Sequence, residues 1–138
     1  MKQERPDTAR QDALLDSKRR QDAVSATGFD WPDISGVLDK VAEELDEIRQ
    51  ALSSGDTEHA RRELGDLLLV AVNVARFLDA DPAQELRRAT DRLCGRVEKV
   101  RALCAERGIN MQNCTLCALD ALWKEVKDQE AQRLRNTP

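Results

Sequence analysis

The feature that most constrains the fold is the stretch from Ala60 to Leu78, which has the length of a helix and almost no polar break after Asp66. Every position from Leu67 to Val72 is apolar, and a helix that is apolar on all sides is normally buried. Glu63 and Asp66 lie near its beginning with i, i+3 spacing. Two such carboxylates at a buried helix repel each other and lose hydration, and a bound cation would offset both costs. The stretch therefore predicts a buried central helix with an acidic entrance.

The rest of the chain also favours helices. Charged residues make up 35% of the 138 residues and aromatic residues only 3%, a balance typical of helices with solvated outer faces. Apolar periodicity and capping residues predict four helices and a fifth with few apolar anchors, and no strand of useful length. The predicted helices cover residues 12–26, 33–52, 60–78 (capped by Asp56), 82–106 and 115–133. Short connections favour antiparallel neighbours, so the predicted fold class is an all-α bundle of four to five helices.

The ends of these helices can be predicted in more detail. Residues 1–11 have little apolar content and are expected to fray. Asp81 and Pro82 form a helix start signal, Gly108 is a stop, and residues 109–114 are expected to be a loop. Five residues of the last helix are predicted to point inward: Leu116, Leu119, Leu122, Trp123 and Val126.

Composition and charge exclude several classes of protein. A formal net charge of −4 argues against a nucleic-acid polymer as the main partner, although a local basic cluster could still hold a small phosphate ligand. Residues 1–20 lack the apolar core of a signal peptide, and the longest apolar run is too short to span a bilayer. We therefore expect a cytoplasmic protein that is not bound to a membrane, and cysteines that are thiols.

Structural zinc is a weaker alternative for the cysteines, because a lone Cys114-x-x-Cys117 motif is a weak signal.

A second acidic group lies on the helix predicted for residues 33–52, where three carboxylates fall within an arc of about 100°. These are Glu43, Glu44 and Glu47. If this helix packs antiparallel to the central one across residues 53–56, the group faces Glu63 and Asp66. Each group alone is compatible with a solvated helix face or a helix N-terminus, but together they indicate a site for a hard cation, Mg²⁺ or Mn²⁺. His59, the only histidine, is more simply interpreted as an exposed residue in a first helical turn.

These residues resemble a known family, the MazG-type nucleoside triphosphate pyrophosphohydrolases. Glu43-Glu44-x-x-Glu47 followed by Glu63-x-x-Asp66 is similar to the EExxE…ExxD signature of that family. Other segments that resemble sequences of this family lie at residues 28–32 (GFDWP), 40–41, 64–68, 72–76 and 119–127. The resemblance therefore covers about residues 28–130. One EExxE motif is a weak signal, whereas this ordered series is a strong one.

The resemblance implies a fold, an activity and a set of site residues. Family members are all-α, are commonly homodimers or higher homo-oligomers, and cleave nucleoside triphosphates to monophosphate and pyrophosphate with Mg²⁺. Carried over by position, the metal ligands are Glu44, Glu47, Glu63 and Asp66. Glu43 is a further catalytic acid, and two roles stay open for it, binding of a second metal and activation of water. The candidate nucleotide contacts are Lys40, Asn73, Arg92, Arg96, Trp123 and Lys127.

Simpler roles for the nucleotide contacts stay open. The arginines also fit a solvated helix face, Trp123 also fits core packing, and Asn73 could bond across an interface. Residues 89–97 depart from the family pattern at several positions, which leaves the base and sugar preference open.

The predicted organisation is a charged N-terminal segment with a helix (residues 1–26), a MazG-like catalytic domain (27–134) and a short tail (135–138). The predicted function is hydrolysis of nucleoside triphosphates, with clearance of the nucleotide pool as its purpose. Narrow-substrate relatives, similar to dimeric dUTPases or phosphoribosyl-ATP pyrophosphohydrolases, are the nearest alternatives. A non-catalytic helical dimer module is the alternative from a different class.

Overall fold

The computed structural model describes residues 12–138, so the fraying predicted for residues 1–11 lies outside the described residues. In the described part the chain forms five α-helices and one short 3-10 turn, with no strand, which confirms the all-α prediction. The helices are α1 (Ala13–Ala26), α2 (Ile34–Ser53), α3 (Thr57–Phe77), α4 (Pro82–Glu106) and α5 (Leu116–Arg135), and the 3-10 turn is Met111–Asn113.

The helices begin where a side-chain oxygen satisfies the backbone N–H groups of the first turn. Asp56 Oδ1 accepts from the His59 N–H at 3.0 Å, and Asp81 Oδ1 accepts from the Gln84 N–H at 3.0 Å. Asp12, Asp33 and Thr115 cap α1, α2 and α5 in the same way. These caps bring the observed helix starts to within three residues of the predicted ones.

Three of the described helices end in a Schellman motif, in which one residue takes a left-handed conformation and the chain turns away. Gly55 (φ 75°) ends α2 and Gly108 (φ 66°) ends α4, where the Ile109 N–H donates to the Cys104 carbonyl at 2.8 Å. Asp79 (φ 52°) ends α3 in the same way. After α4, the predicted loop at residues 109–114 instead contains the 3-10 turn, because the Asn110 side chain accepts from the Gln112 N–H at 3.1 Å and caps it.

The chain forms two compact units, the first ending at Glu85 and the second covering Leu86–Pro138. In the first unit, α2 and α3 pack against each other as an antiparallel hairpin, and α1 packs against α3. Val37, Ala51, Val70 and Val72 are buried residues of α2 and α3. Gln21 Nε2 also donates to the Leu69 carbonyl at 3.2 Å and so ties α1 to α3.

The prediction that the central helix is buried on all sides was wrong for this unit. Leu64, Leu68 and Leu69 are each about half exposed, with Leu68 at 52%. The physical reason is that, among the described helices of the first unit, α2 and α1 make the main contacts with α3, whereas a helix needs neighbours all round to bury every face. The unit therefore leaves an apolar side of α3 open.

The second unit has a small core of its own, formed where α4 and α5 contact each other. Its buried members are Val100, Cys104, Leu122 and Val126, with Leu103, Met111 and Trp123 packed around them. Arg107 donates two hydrogen bonds, of 3.0 and 2.6 Å, to the Glu125 carboxylate and so joins the two helices at the surface.

The inward orientation predicted for Leu116 was wrong, since its side chain is 74% exposed. It lies in the first turn of α5, before the residues that pack on α4. Across the residues that the structure describes, no helix combines the length and apolarity that a bilayer crossing needs.

Candidate metal centre

The hairpin of α2 and α3 brings acidic side chains from both helices to one place. Carboxylate oxygens of Glu44, Glu63 and Asp66 all lie within 4.8 Å of one another. Within residues 12–138 this is the one group of three or more His, Cys, Asp or Glu side chains with such spacing. The four cysteines are free thiols outside this group, so the part of the chain that the structure covers offers no cysteine-based zinc site.

Two of these carboxylates are buried without enough hydrogen-bond partners. Glu44 is 4% exposed and Glu63 is 8% exposed, and the Oε2 atom of each has no hydrogen-bond partner. A buried carboxylate oxygen that has lost water and gained no partner costs free energy. Asp66 lies beside them on the exposed side of α3. The arrangement, three oxygen donors of which two are orphaned, fits a hard divalent cation.

Basic side chains meet this group at its edges. Lys40 Nζ lies 2.9 Å from Glu43 Oε1 and 3.1 Å from Glu44 Oε1, and these two carboxylates raise the pKa of Lys40. Glu43 is therefore paired with Lys40 at the surface and stands apart from the converging group. His59 Nε2 lies 3.0 Å from Glu63 Oε1.

The carboxylates of the group shift each other's pKa in opposite directions. The carboxyl groups of Glu44 and Glu47 and the burial of the site raise the pKa of Glu63 to about 7. The neighbouring carboxyl group of Glu63, followed by the ammonium group of Lys40, lowers the pKa of Glu44. A cation that binds between these carboxylates is expected to compete with the proton of Glu63, because both neutralise the same negative charge.

The other predicted site residues are divided between the two units. In the first unit Asn73 is half-buried, and its Oδ1 accepts from Arg76 Nε at 3.0 Å. In the second unit Arg96 lies 5.7 Å from the centre of the Trp123 ring and donates to Glu130 at 3.0 Å. Trp123 is half-buried against the core of that unit, whereas Arg92 and Lys127 are exposed.

Two features of the first unit were not predicted from the sequence. The contact of His59 with Glu63 has i, i+4 spacing, a signal that could have revealed it. A cleft of about 400 Å³ lies between α1, the GFDWP loop and α3, and is lined in part by Asp30, Trp31 and Arg76. Asp30 and Arg76 are 46 residues apart, and no local spacing predicts their ion pair.

The fold and the acidic centre together define a class: an all-α protein in which two paired helices present carboxylates suited to a divalent cation. Comparison with known families narrows this class. The model of the MazG nucleotide pyrophosphohydrolase domain matches residues 34–102, which cover α2, α3 and most of α4. The chain belongs to this family.

Curated relatives agree with this assignment. The nucleoside triphosphate pyrophosphohydrolase/pyrophosphatase MazG of Thermotoga maritima is 37% identical over 115 residues, which are 83% of this chain and 44% of that protein. The nucleoside triphosphate pyrophosphohydrolase of Escherichia coli K12 is 33% identical over 120 residues, which are 86% of this chain and 46% of that protein. The chain thus spans less than half the length of these relatives.

Proposed function

We propose that this chain hydrolyses nucleoside triphosphates to nucleoside monophosphate and pyrophosphate in the presence of Mg²⁺. The observation that supports this most directly is the convergence of Glu44, Glu63 and Asp66, with two buried carboxylate oxygens that lack partners. Both of the curated relatives described above are named nucleoside triphosphate pyrophosphohydrolase. A triphosphate is strongly anionic, so it needs a cation between itself and the carboxylates.

We assign the cation to Glu44, Glu63 and Asp66, with Glu47, whose carboxyl group lies against Glu63, as a fourth ligand. A donor set made only of oxygens favours Mg²⁺, and Mn²⁺ is the natural substitute. When bound, such a cation neutralises part of the triphosphate charge and polarises a phosphoryl oxygen.

Neighbouring side chains orient these carboxylates. Lys40 Nζ contacts Glu44 Oε1, and His59 Nε2 contacts Glu63 Oε1. In each glutamate the second carboxylate oxygen, Oε2, has no hydrogen-bond partner. Glu43 shares Lys40 with Glu44, and we assign it a positioning role through that lysine. Lys40 is thus a positioning residue for the acidic group.

Within the second unit, the basic residues Arg92, Arg96 and Lys127 stay predicted contacts for a phosphate group. Arg96 is already held by Glu130, and its guanidinium group lies over Trp123. Trp123 is half-buried, which makes it a less accessible platform for a base than an exposed ring.

We also propose that the chain forms a homodimer or a higher homo-oligomer through the first unit. Leu38, Leu45 and Leu52 are spaced seven residues apart on α2, and all three are exposed, as are Leu64 and Leu68 on α3. Leucines at such spacing form one stripe along a helix, and large exposed apolar surfaces mark interaction sites. A second copy offers the same apolar stripe, as a symmetric interface requires.

The activity can be tested with a panel of ribo- and deoxyribonucleoside triphosphates and Mg²⁺, with and without added inorganic pyrophosphatase. Orthophosphate that appears only with the added pyrophosphatase identifies pyrophosphate as the product. Orthophosphate without it would contradict the assignment. The ranking of substrates separates broad hydrolysis from a narrow specificity.

A further inference from the structure

His59, the only histidine of the chain, lies at the edge of the acidic group. Its Nε2 atom is 3.0 Å from Glu63 Oε1. Among the described residues, the converging group of possible metal ligands consists of Glu44, Glu63 and Asp66 and does not include this ring. His59 therefore contacts a proposed ligand of the cation without being placed as a ligand itself.

The contact between His59 and Glu63 is built into α3. The two residues have i, i+4 spacing, which places their side chains on the same face of a helix. The backbone of His59 is fixed as well, because its N–H donates to the capping residue Asp56 at 3.0 Å. The His59 side chain is 44% exposed and that of Glu63 is 11% exposed. The ring thus meets the carboxylate at the border between the buried group and the solvent.

The two carboxylate oxygens of Glu63 have different surroundings. Oε1 contacts His59 Nε2, whereas Oε2 is buried and has no hydrogen-bond partner. An ionised carboxylate has only acceptor sites, so the contact with His59 requires that Nε2 carries the proton and donates it. Such a hydrogen bond fixes the orientation of the carboxylate and leaves Oε2 as the oxygen offered to a cation.

A ligand that is held in place before the cation arrives favours binding. A glutamate side chain has several rotatable bonds, and ordering it costs conformational entropy. When a neighbouring group has already ordered the side chain, binding no longer carries that cost. Removing a hydrogen-bond partner of a metal ligand typically weakens metal binding by about 10- to 100-fold.

We infer that His59 is a positioning residue for the cation: its Nε2–H holds Glu63 Oε1, so that Oε2 is directed to the cation assigned to Glu44, Glu63 and Asp66. The inference rests on the proposed function and adds a residue to it. It gives a role to the one histidine, which the sequence alone did not connect with the acidic group.

The test is the binding of Mn²⁺ to the full chain without nucleotide, measured by electron paramagnetic resonance of the free ion. His59→Leu removes the donor and keeps an apolar side chain, whereas His59→Gln keeps an N–H donor. We expect the Kd for Mn²⁺ to rise about tenfold in His59→Leu and to stay within about threefold of the parent value in His59→Gln. An unchanged Kd in His59→Leu, or equal losses in both variants, would overturn the inference.

Arg61→Ala is the matched control. Arg61 lies in the same part of α3 and pairs with the exposed Glu58 at 2.7 Å. This variant should bind Mn²⁺ with the affinity of the parent chain, and circular dichroism should show the parent helical content in all three variants. A loss of affinity in Arg61→Ala as large as in His59→Leu would assign the effect to the start of the helix and overturn the role of the ring.

A second measurement needs no substitution. Because the chain has one histidine, every ring signal of the parent chain labelled with ¹⁵N-histidine belongs to His59. With Mg²⁺ at saturation we expect Nε2 to be protonated, and its signal to shift on Mg²⁺ addition more than that of Nδ1. An Nε2 atom without a proton, or ring signals that do not respond to Mg²⁺, would contradict the inference.

The possible failures can be told apart. If the parent chain binds Mn²⁺ and hydrolyses nucleotides while His59→Leu keeps the parent Kd, only the role of His59 is overturned. If the parent chain binds neither Mn²⁺ nor Mg²⁺, the proposed function fails, and this inference fails with it.

Discussion

At the residue scale, the contact between Glu44 and Glu63 dominates the chemistry of the molecule. Two buried carboxylates from different helices face each other, and each keeps one oxygen without a hydrogen-bond partner. If only stability mattered, a well-packed apolar pair would serve as well or better at these positions. The pair is therefore better explained by ligand binding than by packing.

The ion pair of Asp30 with Arg76 predicts a pH dependence of stability. The hydrogen bond from Arg76, with those from Ser25 and the Trp31 N–H, lowers the pKa of Asp30 from 3.8 to about 2. A lowered carboxyl pKa stabilises the fold above the unfolded-state value, and this contribution is lost as pH falls through the folded-state value. Thermal unfolding of the parent chain and Asp30→Asn should therefore differ most at pH 5 and above, and converge from about pH 4 towards pH 2.

The matched control for this prediction is Asp46→Asn, which removes an exposed carboxylate paired with Arg49 one helix away. Exposed pairs of this kind contribute little, so Asp46→Asn should follow the parent chain closely at every pH. A difference between the parent chain and Asp30→Asn that did not change with pH would contradict the assignment.

The acidic group could be predicted from the sequence at this scale, whereas the cleft could not. Glu63 and Asp66 share one helix, and the short turn at residues 54–56 places Glu44 opposite them, so spacing and chain reversal suffice. The Asp30–Arg76 pair depends on how a loop before α2 packs on the end of α3. That packing involves no periodic pattern, so only the three-dimensional structure reveals it.

At the scale of the elements, the α2–α3 hairpin is what brings Glu44 and Glu63 together. Its turn depends on Gly55, which ends α2 with φ 75°, and on Asp56, which caps α3. Helix bounds were predictable because caps are local signals. The 3-10 turn at Met111–Asn113 was not, because it depends on one hydrogen bond that the side-chain oxygen of the loop residue Asn110 accepts.

The left-handed turn gives a prediction on stability. Gly55→Ala should lower the free energy of unfolding by about 1 kcal/mol, because a Cβ atom is strained at positive φ even where space is open. Gly95→Ala should raise it by up to about 1 kcal/mol, because Gly95 lies within α4, has open space around it and gains helix propensity. Urea unfolding followed by circular dichroism measures both, and equal effects of the two substitutions would contradict this account of the turn.

At the scale of the whole molecule, one prediction from the sequence, the burial of α3 on all sides, was wrong. The apolar run in α3 predicted burial, yet leucines on α2 and α3 remain exposed in the first unit. An apolar pattern predicts that a surface is covered, but it does not say whether the cover comes from the same chain or from another copy. The proposed homo-oligomer reconciles the pattern with the structure.

Sedimentation equilibrium tests this proposal. The parent chain should have at least twice the monomer mass, and Leu68→Glu should shift it towards the monomer, because a charge at a buried contact is poorly tolerated. Leu134→Glu is the control, since Leu134 is an exposed leucine of α5 in the second unit and is not one of the leucines assigned to the proposed interface, so it should leave the mass unchanged. A monomeric parent chain would contradict the proposal.

The most direct test of the central claim is the identity of the products formed from a nucleoside triphosphate and Mg²⁺, measured by phosphorus NMR for the parent chain and two variants. The account predicts equal amounts of nucleoside monophosphate and pyrophosphate, loss of turnover by about two orders of magnitude or more in Glu63→Gln, and retained helical content in that variant. Glu58→Gln, an exposed residue one turn earlier that is paired with Arg61, should retain activity. Nucleoside diphosphate with orthophosphate as products, or full turnover in Glu63→Gln, would contradict the account.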